Sequence, residues 1–165
     1  MGNGADIASQ TVHRAARWPV GLAWRSDGEQ LAFASGKDVL TFDANGALLR
    51  QMGGHSSPLS HLVWRGRNEL VAAANGALFV DRADTGEVSQ HVLEGTPLTL
   101  ALSPDLKVAA NGLADGTVNF RYINNRKRSR MSGYEGKVDL TCWSSTSRYL
   151  ATASTGASSI VVWDF

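Results

Sequence analysis

The sequence predicts an all-β chain made of four tandem units, and three observations carry that expectation. Glycine, 17 of the 165 residues, stands mostly behind a small polar residue, as in Asp27-Gly28, Asn45-Gly46, Asn75-Gly76, Asn111-Gly112 and Asp115-Gly116. Such pairs suit tight turns between strands. They recur about every ten residues, which leaves helices little room. Bulky anchors also repeat: Trp24, Trp64, Leu102 and Trp143 stand 40, 38 and 41 residues apart, a period that belongs to repeat architectures.

Taken in order, the first unit has strand-like runs at Gly21 to Trp24, Leu31 to Ser35, Val39 to Asp43 and Leu48 to Met52. The second has Leu59 to Trp64, Leu70 to Ala74, Ala77 to Asp81 and Glu87 to Leu93. The third runs through Leu98 to Leu102, the aligned stretch LKVAANG, Val118 to Tyr122 and Arg126 to Met131. The fourth offers Val138 to Trp143, the stretch YLATAS and Ile160 to Asp164. Their β-branched and aromatic content fits a pleated, half-buried surface. A second register follows the anchors, where an apolar strand closes on Phe42-Asp43, Val80-Asp81, Arg121-Tyr122 and Trp163-Asp164, spaced 38, 41 and 42.

At 43% hydrophobic and 19% charged, a chain of this length buries roughly 70% of the surface its unfolded form exposes, enough for a core without staples. The net charge of +1 supplies no broad field for nucleic acid. No run of ~18 apolar residues is present to cross a bilayer as a helix. Cys142, the single cysteine, has no partner for an internal disulfide, and Met1 to Gln10 lacks the order of a secretory signal, so a cytoplasmic setting is expected.

These repeats resemble the WD-repeat β-propeller family, and the resemblance covers nearly the whole chain. It is carried by Gly54-His55 nine positions before Trp64, Ser103-Pro104-Asp105 after a strand, Ala114-Asp115-Gly116-Thr117-Val118 entering one, and Val161-Val162-Trp163-Asp164. Only the last repeat has an intact Trp-Asp; the first has Ala15 where Gly-His would sit, and the third has Arg121-Tyr122. The resemblance implies four-stranded blades, strands a to d from the inside outward, stacked around an axis. A tail at residues 1–9 precedes a closing outer strand at 10–17. Repeats then occupy 18–53, 54–93, 94–132 and 133–165, the last without its own strand d. That makes sixteen strands and four blades per chain. A two-fold homodimer, in which the strand Gln10 to Arg17 of each copy completes the other's fourth blade, gives an eight-bladed ring with paired edges. The competing account is half of a longer propeller, natural or engineered.

The chemistry is sparse. His13, His55, His61 and His91 are 42, 6 and 30 positions apart, with no metal-site spacing among them. The resemblance implies a tetrad joining His55 to a strand b hydroxyl, a turn Asp and a Trp. No repeat has all four, because Ala73 and Val80, Arg121, or Tyr134 intervene, and a surface or interface histidine is the simpler reading of His55. No nucleophile elbow, phosphate loop or dinucleotide fingerprint occurs, so no enzyme activity, cofactor or metal is expected. Cys142 reads as a packing residue. The basic run Arg126 to Arg130 reads as protection of an outer edge, with an RNA or acidic-partner patch as the other reading.

Trp24, Trp64, Leu102, Trp143 and Trp163 are expected as repeat core between blades. The loops joining d to a and b to c should gather on one face, placing Trp18, Lys37, Ser57, Asn75, Thr96, Asp115, Lys137 and Ala157 toward an unidentified protein or peptide. Trp18 is the leading contact candidate, against the alternative that it packs under the first strand. The expected function is a non-catalytic interaction scaffold. The alternative is a propeller enzyme or lectin-like binder of a small ligand in the central channel.

Overall fold

Turn glycines and pleated apolar runs produce four antiparallel sheets, each built from consecutive strands, in the computed structural model, which describes residues 11, 18–125 and 127–165. The first sheet holds β1 (Pro19–Trp24), β2 (Gln30–Ser35), β3 (Asp38–Asp43) and β4 (Leu48–Met52) in that order. The second holds β5 (Leu59–Arg65), β6 (Glu69–Ala74), β7 (Ala77–Arg82) and β8 (Val88–Val92). In the third are β9 (Ala101–Leu102), β10 (Val108–Gly112), β11 (Val118–Tyr122) and β12 (Arg128–Met131), and in the fourth β13 (Val138–Trp143), β14 (Tyr149–Ser154) and β15 (Ile160–Asp164). The described residues contain fifteen strands and no helix. The expected closing strand Gln10 to Arg17, Thr11 apart, and Arg126 lie outside the described residues.

The anchors occupy one structural place. Trp24 stands opposite Leu31, Trp64 opposite Leu70, Leu102 opposite Ala109 and Trp143 opposite Leu150. Each first strand also carries a one-residue register shift near its start, between Pro19 and Gly21, Leu59 and His61, and Val138 and Leu140. In the third sheet the same shift separates the bridge Pro97 to Leu113 from the pair Ala101 and Ala110. That irregularity shortens β9 to Ala101–Leu102, against the Leu98 to Leu102 expected, because a bulge interrupts the ladder.

The second register needs a correction of one residue. Phe42, Asp81, Arg121 and Trp163 stand opposite Leu31, Leu70, Ala109 and Leu150, so Asp81, not Val80, fills the second repeat's place. The true spacings are 39, 40 and 42. Sequence alignment missed this because the hairpin from Trp64 to Leu70 is one residue shorter than that from Trp24 to Leu31.

Turn geometry follows the glycines. The two-residue link between Ala74 and Ala77 places Gly76 at φ 79°, the left-handed conformation that the second central residue of a type II turn requires. Four residues after three of the anchors the a to b turn also runs left-handed. Gly28 fits it without cost, while Leu106 (φ 64°) and Ser147 (φ 62°) hold it with a side chain, a strain of about 1–2 kcal/mol per residue.

The sheets pack face to face in series. Ala32, Ala34, Val39 and Met52 of the first meet Leu62, Leu70, Ala72, Ala74, Ala77 and Phe79 of the second. Val71, Ala73, Leu78 and Leu93 of the second meet Ala109 and Leu113 of the third, and Val108, Ala110, Val118 and Phe120 of the third meet Val138 and Leu150 of the fourth. In the middle of the series β6, β7 and β10 thus bury both faces, which is why Leu70 to Ala74 reads as a continuous apolar run rather than an alternation. The third and fourth sheets approach closely at Gly112, where a Cβ would lie 2.4 Å from the Val138 carbonyl oxygen.

At both ends of the series the pattern fails. Leu22 (66%) and Trp24 (56%) on β1, with Leu140 (65%), Ile160 (73%) and Val162 (61%) on the fourth sheet, are exposed. Trp24 therefore departs from the expected repeat core: its ring faces the side on which no sheet of this series lies. Trp64, Trp143 and Trp163 are partly buried against their clusters, as is Leu102.

Candidate interaction surfaces

The loops joining d to a and b to c lie side by side and are hydrogen-bonded to one another. Lys37 Nζ donates to the Ser56 carbonyl at 2.8 Å, Ser57 Oγ to the Asn75 carbonyl at 3.0 Å, and Thr96 Oγ1 to Asn75 Oδ1 at 3.3 Å. The Ala114 amide donates to the Thr96 carbonyl, and the Thr155 amide to the Lys137 carbonyl. Asp115 accepts from Thr117 Oγ1 and from Arg130. The expected face residues Lys37, Asn75, Thr96, Asp115 and Lys137 are exposed, and Ser57 and Ala157 half-buried. Trp18 is 87% exposed, which removes the alternative that it packs under the first strand. Short, mutually bonded loops of this kind give a surface fixed in shape by the sheets beneath.

Beneath that face the strand c place is filled differently in each sheet. His55, descending from the loop before β5, is buried: its Nδ1 contacts the Lys37 carbonyl at 2.7 Å and its Nε2 the carboxylate of Asp81 at 2.9 Å. Both side chains are wholly buried, and Phe79 meets the imidazole edge-on. Of the expected surface or interface histidine the surface reading is corrected: His55 is buried where the first two sheets meet, and a carboxylate in the strand c place gives the imidazole a charged partner. Burial by itself would depress the His55 pKa, but the hydrogen bond and charge of Asp81, the Lys37 carbonyl and nearby Asp38 outweigh it and raise it above the ordinary value. Tyr134 takes the equivalent loop place in the fourth sheet. Trp163 Nε1 donates to Tyr134 Oη at 2.9 Å and is shared with Thr152 Oγ1 at 3.1 Å, and the two hydroxyls lie 2.5 Å apart. The strand b hydroxyl is that of Thr152. In the third sheet Arg121 contacts His91 at 2.8 Å.

Two cations of the basic run are paired with carboxylates. Arg128 and Arg130 pair with Glu94 at 3.1 and 3.5 Å, and Arg130 with Asp115 at 2.7 Å. Such exposed pairs contribute little to stability, yet they leave less free cation than the sequence implied. His61, on β5, is held below the ordinary histidine pKa by burial, partly offset by the Leu98 backbone. Among the described residues no three His, Cys, Asp or Glu gather to hold a metal ion.

An apolar surface lies on the fourth sheet. Leu140, Thr141, Cys142, Ala151, Ala153 and Ile160 line a shallow hollow of about 300 Å³ on the free side of the fourth sheet. Cys142, expected as a packing residue, is exposed there, because no further sheet of the series lies against it.

Four consecutive antiparallel sheets stacked face to face, with loops interlocked on one side, define a propeller-like all-β protein. No protein-family model and no curated protein matches the sequence. The fold is similar to that in the crystal structure of the computationally designed Ika4 protein, with a TM-score of 0.80 at 20% identity, over 96% of this chain and 99% of that one. At that identity the likeness speaks for the fold alone.

Proposed function

We infer that the chain is a half-propeller of WD-repeat type that works as a non-catalytic interaction scaffold once two copies close an eight-bladed ring. What supports this reading is the apolar exposure at the two ends of the series. A ring closed within one chain would press the fourth sheet against the first and cover Leu22, Trp24, Leu140 and Ile160, which instead remain open. A second copy with the same two faces covers both at once under two-fold symmetry. In the ring, the segment Gln10 to Arg17 of each copy supplies the outer strand of the other's fourth blade beside β15. A computationally designed protein of similar fold and nearly the same extent is known in crystal form, which fits an engineered origin for this chain.

The docking face is the loop side, where Trp18, Lys37, Asp115 and Lys137 present mixed charge and one bare aromatic to a protein or peptide. Electron microscopy tests the assembly: particles with eight sheets around a central opening are expected, and four-sheet wedges or open filaments would overturn it. Peptides selected on the native assembly test the face. Their binding should fall with Lys37→Glu and Lys137→Glu, and binding indifferent to both would assign the partner elsewhere.

A further inference from the structure

Two of the three joints inside the chain share a contact rule, and the rule predicts the joint that closes it. Where the second sheet meets the first, Trp64 Nε1 donates to the Ala23 carbonyl at 2.9 Å, Ala23 being the residue before the first anchor. Where the fourth meets the third, Trp143 Nε1 donates to the Ala101 carbonyl at 3.3 Å, Ala101 being the residue before Leu102. Two places earlier the rule holds again. A Cβ on Gly21, three before its anchor, would lie 3.2 Å from the Cβ of Leu62, two before its own. Thr99 and Thr141, in the same two places, touch at 2.8 Å through their hydroxyls. At these two joints the earlier sheet thus offers its −3 and −1 places to the −2 and anchor places of the next.

The free ends carry the unmatched halves of that rule. The fourth sheet offers Leu140 at −3 and Cys142 at −1; the first offers Leu22 at −2 and Trp24 at the anchor, and all four are exposed. We propose that a second copy of this chain docks in that register, with Leu22 on the partner copy's Leu140 and the Trp24 indole donating to the carbonyl of the partner copy's Cys142. This rests on the two-copy reading above and adds its contact register.

The joint would lack one bond: the Leu59 and Val138 amides donate to the Gly36 and Leu113 carbonyls, whereas Pro19, in the same place, has no N–H. Pro97 also stands there in the second-to-third joint, which packs without it.

The test is a disulfide placed by the register. Leu22→Cys with Leu140→Cys, in a Cys142→Ser background, should oxidise to a covalent dimer of twice 17.6 kDa with no free thiol, since the −3 and −2 Cβ atoms come within disulfide reach. The out-of-register pair Leu22→Cys with Val162→Cys should not. If the unaltered chain sediments as a dimer and Leu22→Cys/Leu140→Cys stays reduced, the register is wrong and the two-copy reading stands. A chain that sediments as a monomer overturns both. In the unaltered protein the Cys142 thiol should be shielded from an aromatic disulfide reagent, and Trp24→Ala should make it react at least tenfold faster; equal rates would refute its place in the joint.

Discussion

Trp24 and Trp64 hold the same place in successive repeats, and that equivalence makes a discriminating experiment. Trp64 is packed into the cluster between the first two sheets and donates to the Ala23 carbonyl, so Trp64→Ala should destabilise the chain itself by about 3–5 kcal/mol through lost burial and a residual cavity. Trp24 is 56% exposed. A tryptophan presents up to about 250 Å², so closing the joint would cover roughly 140 Å² of it, or about 3.5 kcal/mol at ~25 cal/mol per Å². A two-fold ring contains that joint twice. Trp24→Ala should therefore weaken association by about 7 kcal/mol, roughly a hundred-thousandfold in dissociation constant, while the isolated chain keeps its unfolding free energy within about 1 kcal/mol. Sedimentation over a dilution series reads the first effect, and urea denaturation at a concentration where the chain is dissociated reads the second. The reasoning fails if Trp24→Ala destabilises the monomer as much as Trp64→Ala does, or leaves association unchanged.

Other outcomes follow from single sites. Because the His55 pKa is raised in the folded chain, the charged imidazole's contribution is complete below about pH 6.5, the unfolded value, and is lost as pH rises through the folded value. The urea midpoint should therefore fall with rising pH by more in the native protein than in His55→Gln, and parallel profiles would contradict the Asp81 pairing. Gly112→Ala drives a methyl into the Val138 carbonyl and should cost about 3 kcal/mol by overpacking, measured by thermal unfolding; a neutral result would refute the close approach. Tyr134→Phe removes the hydroxyl between Trp163 and Thr152 and should cost about 1–2 kcal/mol, which urea denaturation checks. Removing residues 1–17 should turn a soluble assembly into aggregate by baring the β15 edge, and an undisturbed oligomer in light scattering would take the exchanged strand out of the account.

Much of this was legible from the residues. Glycine behind a small polar residue marks where pairing reverses, and the forty-residue spacing of Trp24, Trp64, Leu102 and Trp143 fixes which strands are equivalent. Sheet order and the outer strand at Leu48 to Met52 follow from those two signals. What escaped was whatever depends on a neighbouring sheet. Trp24 and Trp64 are the same residue in the same local context, yet one is half-exposed because burial is decided by what packs opposite. His55 looked superficial because its partner was sought among strand b hydroxyls and tryptophans, and a hairpin shorter by one residue hid Asp81 in the strand c place. Only the Gly54-His55 pair hinted at it. The loop face was legible as a position, since register alone places Lys37, Asn75 and Asp115 on one side, but nothing in those residues specifies what docks there.

The central claim is that one chain leaves two complementary faces open and a second copy fills both. Sedimentation equilibrium of the native protein at micromolar concentration measures this directly. The account predicts a single species at twice 17.6 kDa, neither larger nor concentration-dependent; a stable particle of 17.6 kDa with Trp24 still solvent-accessible to a fluorescence quencher would contradict it.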